Sequence, residues 1–444
     1  MKIDLAHIDS GATAWVLISA ALVLFMTPGV AFFYGGMVRA KHVLAVIMQN
    51  FITIGLVSVV WVVVGYSLAF GKGNGLIGDL HFAGLAHMDE AVPGLGTALV
   101  IPPLVFAIYQ MMFAVITPAL ITGATADRWK FSSFVPFVVA WSVLVYGPVA
   151  HWLFSPEGWL AKLGAVDFAG GIVVHASAGT AALALCLFLG RRRGWPQKEL
   201  KSHNMPLMLI GAAMLWFGWF GFNAGSALGA NGLAATAFIN TNTAGAVAML
   251  TWVAVERIRH GKATTLGAAA GAVAGLAAIT PCAGYVSPLA SLAIGVASGA
   301  LCCFAVEWKN RFGYDDSLDV VGVHLVGGVL GALCVGLFAT TSVNPSVSNG
   351  LFYGGGFSLL GKQALATVVV MAWSFAVTAA LALVLKKVTG NRVSEDDEEL
   401  GLDLALHGET AYVLTEQEEP AVQVASASAP DTDPDADGEL VLTG

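Results

Sequence analysis

Eleven long apolar runs set the terms on which this 444-residue chain can fold; they lie near 12–36, 43–70, 99–125, 133–153, 168–190, 205–226, 231–255, 264–284, 287–307, 318–339 and 357–387. A helix that crosses a bilayer needs about 20 predominantly apolar residues. A water-soluble core of this size would have to be wrapped in a polar surface. Residues 43–70 and 99–125 contain no charged side chain at all. Only 11% of the chain is charged, against about 25% in soluble domains. Twelve Trp and 52 Gly point the same way, because aromatics mark membrane interfaces and small residues let helices approach. The expectation is an all-α polytopic membrane protein.

Charge gives the orientation. With the N-terminus outside, Arg39, Lys41, Arg128, Lys130, Arg191, Arg192, Arg193, Lys198, Lys201, Arg257, Arg259, Lys262, Lys309, Arg311, Lys386, Lys387 and Arg392 fall on inner connections, and only Lys2, Lys72, Lys162 and Lys362 fall outside. That imbalance predicts N-out, C-in topology, which an odd number of spans permits. Spans 1–5 and 6–10 can then form two five-helix halves of opposite orientation, an inverted repeat, with the eleventh bracing the bundle. Gly267, Gly271 and Gly275 share one helix face and predict close helix contact.

The net charge of −8 belongs to the C-terminal end: residues 394–444 hold 15 of the 29 Asp and Glu and no Lys or Arg. The chain divides into a membrane domain over 1–388, a tail over 389–412 and an acidic, Ala/Pro/Asp-rich extension over 413–444 whose composition cannot pack a core. Cys186, Cys282, Cys302, Cys303 and Cys334 all lie in apolar runs without metal-ligand spacing and read as buried structural thiols. Met1–Ala12 lacks the apolar stretch of a cleavable signal.

Two histidines carry the functional signal. His175 in V-V-H-A-S-A-G and His324 in G-V-H-L-V-G-G share the pattern Val-His-x-x-x-Gly, each in the middle of an apolar run. Asp167 precedes the first by eight residues and Asp319 the second by five, and Asp319 reads as the counterpart of Asp167. Asp315 and Asp316 read as inner-loop charges. An ionisable side chain at membrane depth is costly and faces a bundle interior or a conduction path. Two in matched settings at equivalent spans point to one site built twice, near the midplane where inverted halves meet. Neutral imidazoles each offer one donor and one acceptor.

The segments W-F-G-F-N-A-G-S (219–226), D-F-A-G-G-x-V-V-H (167–175), D-D-S-L-D-V-x-G-V-H (315–324), P-G-V-A-F-F-Y-G-G (28–36) and G-L-D-x-x-x-H-G-E-x-A-Y (401–412) resemble the ammonium transporter family (Amt/Mep/Rh). The resemblance covers roughly residues 12–412 and leaves 413–444 outside. It implies a homotrimer in the cell membrane with one narrow pore per subunit and a cytoplasmic C-terminus. It makes Phe113 and Phe222 an aromatic gate, and His175 and His324 a hydrogen-bonded pore pair with Trp219 lining the lumen. Phe113, Phe154, Ser226 and Tyr146 become the outer recruitment site for ammonium, with Tyr109 beside it. Asp167 shapes the pore and favours a cation, although its position also suits a helix N-cap. Residues 401–412 match a regulatory tail that contacts neighbouring subunits and a trimeric P-II signalling protein. Phe154 stands where many members have Trp; Trp gives the stronger cation–π attraction, so compensation would require Trp152 to swing round.

An aromatic site with one hydroxyl can replace part of the water lost by a small cation, and an apolar lumen then favours neutral ammonia over the ion. A potassium pore would need rings of oxygen ligands, and no such run is present. No cofactor, metal or nucleic acid is expected. An enzyme reading fails because Ser177 and His175, two apart, point away from each other on a helix, and no H-E-x-x-H, P-loop or dinucleotide motif occurs. An ammonium sensor on the same scaffold would want a folded output domain after residue 387. His151 reads as interfacial, and His7, His81, His87, His203, His260 and His407 fall in tails or loops without a site role.

Overall fold

A computed structural model describes residues 2, 7–197 and 201–412, so Lys198 and the acidic extension 413–444 lie outside the described residues. The described residues are helical and form no strand, only the isolated bridges Lys2 to Glu90 and Trp129 to Arg392. Ten segments are long and apolar enough to cross a membrane, which makes the chain a multi-pass membrane protein. They are α1 (Ser10–Met37), α2 (Ala40–Phe70), α3 (Pro103–Thr125), α4 (Phe131–Leu163, broken after Phe154), α5 (Gly171–Leu189), α6 (Met205–Ala227), α7 (Gly232–His260), α9 (Pro288–Phe312), α10 (Val321–Phe338) and α11 (Ser358–Val388). Between α7 and α9 lies α8 (Thr265–Ile279), 15 residues long where the sequence predicted a run over 264–284. At 1.5 Å per residue α8 spans only about 22 Å. Pro281 accounts for the early stop: Thr280 before it is still helical, but the proline has no N–H with which to continue the ladder.

Polar side chains start the helices by accepting from orphan N–H groups. Asp9 accepts from Ala12, Asn204 from Leu207, Asn231 from Ala234, Thr264 from Gly267 and Ser287 from Ala290. Close packing relies on glycine. A Cβ at Gly211 of α6 would sit 2.2 Å from Phe33 N of α1, and one at Gly36 of α1 would sit 2.5 Å from Met208 N of α6. Gly267, Gly271 and Gly275 of α8 all face α7, at Glu256, Trp252 and Ala244 respectively, as their stripe predicts.

The two classes of basic residue sort to different ends of the bundle. At one end, Asp127 pairs with Arg39 at 3.2 Å and Arg192 at 3.7 Å, and Arg192 with Asp315 at 2.8 Å. Arg128 donates to Asp315 O and Ser317 Oγ, both at 2.6 Å. At the other end, Lys2 pairs with Asp89 and Lys162 with Glu157, and Lys362 lies beside Gly164.

The tail packs on the first end. Two short helices, α12 (Glu395–Leu400) and α13 (Leu402–His407), follow α11. Asp403 accepts from Ala45 N at 2.8 Å and Leu44 N at 3.1 Å, capping the long part of α2 from 359 positions away. Glu398 accepts from Arg193 N at 2.7 Å and pairs with Arg392 at 2.6 Å. Gly401, at φ 113°, lies against Lys41, and a Cβ there would meet Lys41 O at 2.6 Å.

Candidate functional site

The histidines sit on matched irregularities. His175 lies in a π-helical turn, Gly171–Ala176, and His324 in another, Val321–Leu325. Such turns occur mostly as single insertions within α-helices, often at functional sites. Asp167 precedes the first turn and accepts from the N–H groups of Gly170, Gly171, Ile172 and Val173 at 2.7–2.9 Å. It therefore caps the turn from a buried position.

Asp319 does not play that part for His324. Asp316 does: it precedes His324 by eight residues, as Asp167 precedes His175, and accepts from Val321 N at 2.7 Å. Asp319 turns away to pair with Lys309 at 2.5 Å. Asp315 and Asp316 do lie in the non-helical connection ahead of the turn, but both are fully buried. Burial pushes the Asp315 carboxyl upward, but the Arg192 guanidinium, helped by Arg128, outweighs this and holds it below the usual carboxylate range.

The two turns cross at glycines. Gly179 and Gly328 each lie four residues after a histidine. A Cβ on Gly179 would stand 2.4 Å from Leu325 N, and one on Gly328 would stand 2.9 Å from Ala176 N. Leu325 follows His324 and Ala176 follows His175, so the contacts are reciprocal. This approach brings His175 Nδ1 to 3.2 Å from His324 Nδ1, with ring planes 12° apart. A hydrogen bond between two like nitrogens holds one proton, so one imidazole donates and the other accepts.

The rest of the predicted site gathers around this pair. The His175 ring lies 5.4 Å from Trp219 at 23° and 5.8 Å from Phe222 at 25°. Phe222 in turn meets Phe113 at 4.5 Å and 47°. Phe154 meets the far side of Phe113 at 6.3 Å, edge-on at 82°. Ser226 Oγ donates to Phe222 O at 2.9 Å and lies 3.1 Å from Tyr109 Oη, which also donates to the carbonyls closing that turn. Ser226 remains half-buried. Tyr146 is not drawn into this group by ring packing; its ring lies against Trp61 at 6.2 Å.

Trp152 does not stand in for the missing Trp at 154. Its Nε1 donates to Leu76 O at 2.7 Å and its ring packs on Trp373 at 5.7 Å. His151 is not interfacial but fully buried, its ring nitrogens 2.9 and 2.6 Å from the carbonyls of Ala69 and Asn74.

Below the Phe113–Phe222 contact lies a narrow cavity of about 10 Å³ whose walls include Phe222, Trp219, His175, His324, Leu215 and Tyr34. A second narrow space shares Phe33, Tyr34, Val273 and His324 with it and ends at Asp319. Together they continue the line from the aromatic pair past the histidines toward the basic end. Tyr34 and Trp219 spend their polar hydrogens on Leu120 O and Thr280 Oγ1. His175 Nε2, in contrast, is buried without a hydrogen-bond partner among the described residues. Sequence reasoning had no signal for Thr280 or Tyr34, whose roles depend on partners 61 and 86 positions away.

The Ammonium Transporter Family model matches residues 14–412. The chain belongs to this family. An ammonium transporter of Mycobacterium tuberculosis is 51% identical over 431 residues, covering 91% of this chain and 90% of that one. The crystal structure of Candida albicans Mep2 superposes with a TM-score of 0.84 at 35% identity, over 92% of each chain. A solved sensor Amt protein gives 0.81 at 32% identity, over 89% of this chain and 98% of that one. The family is one of transporters rather than enzymes, and the chain is a membrane-spanning ammonium transporter family member by sequence and fold alike.

Proposed function

We propose that the protein recruits ammonium at its Lys162 end, passes it between Phe113 and Phe222, and conducts ammonia, with or without a coupled proton, along the His175–His324 lumen to the Arg192 end. The observation that carries this reading is the paired histidines in an otherwise apolar cavity, with the His175 Nε2 atom unpaired. That cavity offers a small polar guest nitrogen ligands and little else. A bare cation finds no ring of oxygens to replace its water. Ser226, half-buried beside Phe113, Phe154 and Phe222, supplies a hydroxyl and aromatic faces for the ion before it sheds its charge. Tyr146 belongs to the wider aromatic wall of this mouth.

The reciprocal glycine contacts and the equal Asp-to-His spacing support two inverted five-helix halves, 1–5 and 6–10, with α8 as a short eighth span and α11 bracing them. The sorting of basic residues supports an N-out, C-in chain with the Arg192 end in the cytoplasm. The reading extends to a homotrimer in the cell membrane. In this reading the tail at 389–412 meets neighbouring subunits and a P-II protein, and 413–444 is an acidic extension by composition. Reconstitution in liposomes tests the transport reading. An ammonium jump should give a current on a solid-supported membrane, or labelled methylammonium should accumulate; intact protein that gives neither refutes it.

A further inference from the structure

Apart from the pore, one other set of nitrogen and oxygen ligands converges among the described residues, in the connection between α2 and α3. His81 Nε2 lies 3.1 Å from Glu90 Oε2, and His87 Nδ1 lies 3.9 Å from Glu90 Oε1. One ligand atom from each of the three residues falls within 4.8 Å of the others. The two imidazoles face each other at 4.4 Å with planes 11° apart.

We propose that His81, His87 and Glu90 form a binding site for a divalent transition-metal ion of the zinc class. Two imidazoles and a carboxylate are a donor set that zinc and its neighbours favour over calcium or magnesium. Tetrahedral zinc with bonds of about 2.0–2.1 Å sets neighbouring ligand atoms roughly 3.3 Å apart. The His81–Glu90 separation already meets this, and rotation of exposed rings closes the rest. One carboxylate presenting an oxygen to each of two rings exceeds what a simple His–Glu pair requires.

The fold holds the donors in place from behind. His81 N donates to Asp79 Oδ1 at 3.1 Å, and Phe82 N to Ser67 Oγ at 2.9 Å. The buried Phe82 ring packs on Tyr66 at 5.8 Å. His87 adopts φ +57°, a left-handed conformation uncommon for non-glycine residues, and its carbonyl accepts from Glu90 N at 3.0 Å. An open cavity walled by His81, Glu90, Asp79 and Lys72 gives an ion direct access from solvent. Three protein ligands leave a fourth position for water, so the bound ion exchanges with the bulk. Phe82, Tyr66, Trp61 and Tyr146 form a continuous ring chain leading inward from this site. The proposal does not depend on the transport reading.

Full-length protein in nanodiscs, with any affinity tag removed, is titrated with Zn²⁺ alone by calorimetry, and with Co²⁺ by visible absorption. Saturable binding of one ion per chain is expected, with a Co²⁺ spectrum of tetrahedral type. A His81→Gln/His87→Asn double variant should weaken binding about tenfold or more; Asn tolerates the left-handed backbone at 87. Glu90→Gln gives an independent reading with both rings intact and should weaken binding likewise. Thermal unfolding without metal should match the wild type for both variants. Absence of saturable binding, or affinity unchanged in the double variant, overturns the assignment.

Discussion

Replacing Gly179 with alanine should separate the two histidines. The substitution adds one methyl to α5, where the new Cβ would lie 2.4 Å from Leu325 N and 2.6 Å from Leu325 Cβ. The nearest of these is backbone, which cannot rotate aside. Ordinary contact starts near 3.4 Å, so α10 must retreat by about 1 Å. The 3.2 Å His175–His324 bond then stretches well beyond the about 3.2 Å usual for N–H donors. Overpacking costs roughly 1–3 kcal/mol, offset by the about 0.8–1.0 kcal/mol of helix propensity gained from alanine. A modest loss of stability should therefore accompany a large loss of ammonium selectivity. Gly328→Ala should act in the same way, with its Cβ 2.7 Å from Gly171 O. Gly327 provides the control: its nearest neighbour would be 3.5 Å away, so Gly327→Ala should be tolerated. Thermal unfolding in detergent and ammonium currents in proteoliposomes measure both effects. Wild-type behaviour of Gly179→Ala, or equal damage from Gly327→Ala and Gly328→Ala, would refute the clamp.

Asp315→Ala should cost up to about 3–5 kcal/mol because it takes away the 2.8 Å partner of the buried Arg192 and leaves it only Asp127 at 3.7 Å, read as a lowered unfolding midpoint. Since Asp315 is held below its ordinary range, its stabilisation is full above about pH 4 and fades as pH falls through its folded-state value. The gap between wild type and Asp315→Asn should narrow with acidification, and a gap constant to pH 3 would contradict the pairing. Phe154→Trp should tighten external ammonium affinity if residue 154 faces the ion; an unchanged half-saturating concentration would place it outside the recruitment site. Truncation after Tyr412 should leave transport intact, whereas truncation before Leu400 removes Asp403 from α2 and should impair activity or P-II capture; loss of transport by the shorter cut, with folded protein, would show an unread role for the extension.

The membrane class was legible because apolar run length is a local property, and the histidines because a charge-capable group inside such a run is rare. The Val-His-x-x-x-Gly pattern contained both clamp glycines, but their purpose emerged only once each faced the helix of the other histidine. The partner of Asp167 was misread because three aspartates, at 315, 316 and 319, precede His324. The nearest drew attention, whereas the eight-residue spacing identifies Asp316. Asp319, just before the turn at φ +64°, is instead taken by Lys309. The early end of α8 was readable at Pro281, but a window of apolar residues runs straight through a proline. Contacts such as Asp403 on α2 or Trp152 on Leu76 join positions with no shared local pattern, so no single-sequence argument reaches them.

The most direct test of the central claim is the current carried by a His175→Ala/His324→Ala double variant in proteoliposomes, measured against wild type for ammonium and for potassium. If the paired imidazoles are the ligands that let ammonia pass and exclude larger hydrated cations, the variant loses ammonium current or admits potassium while remaining folded. Wild-type ammonium current with potassium still excluded would contradict the assignment of His175 and His324 to the conduction path.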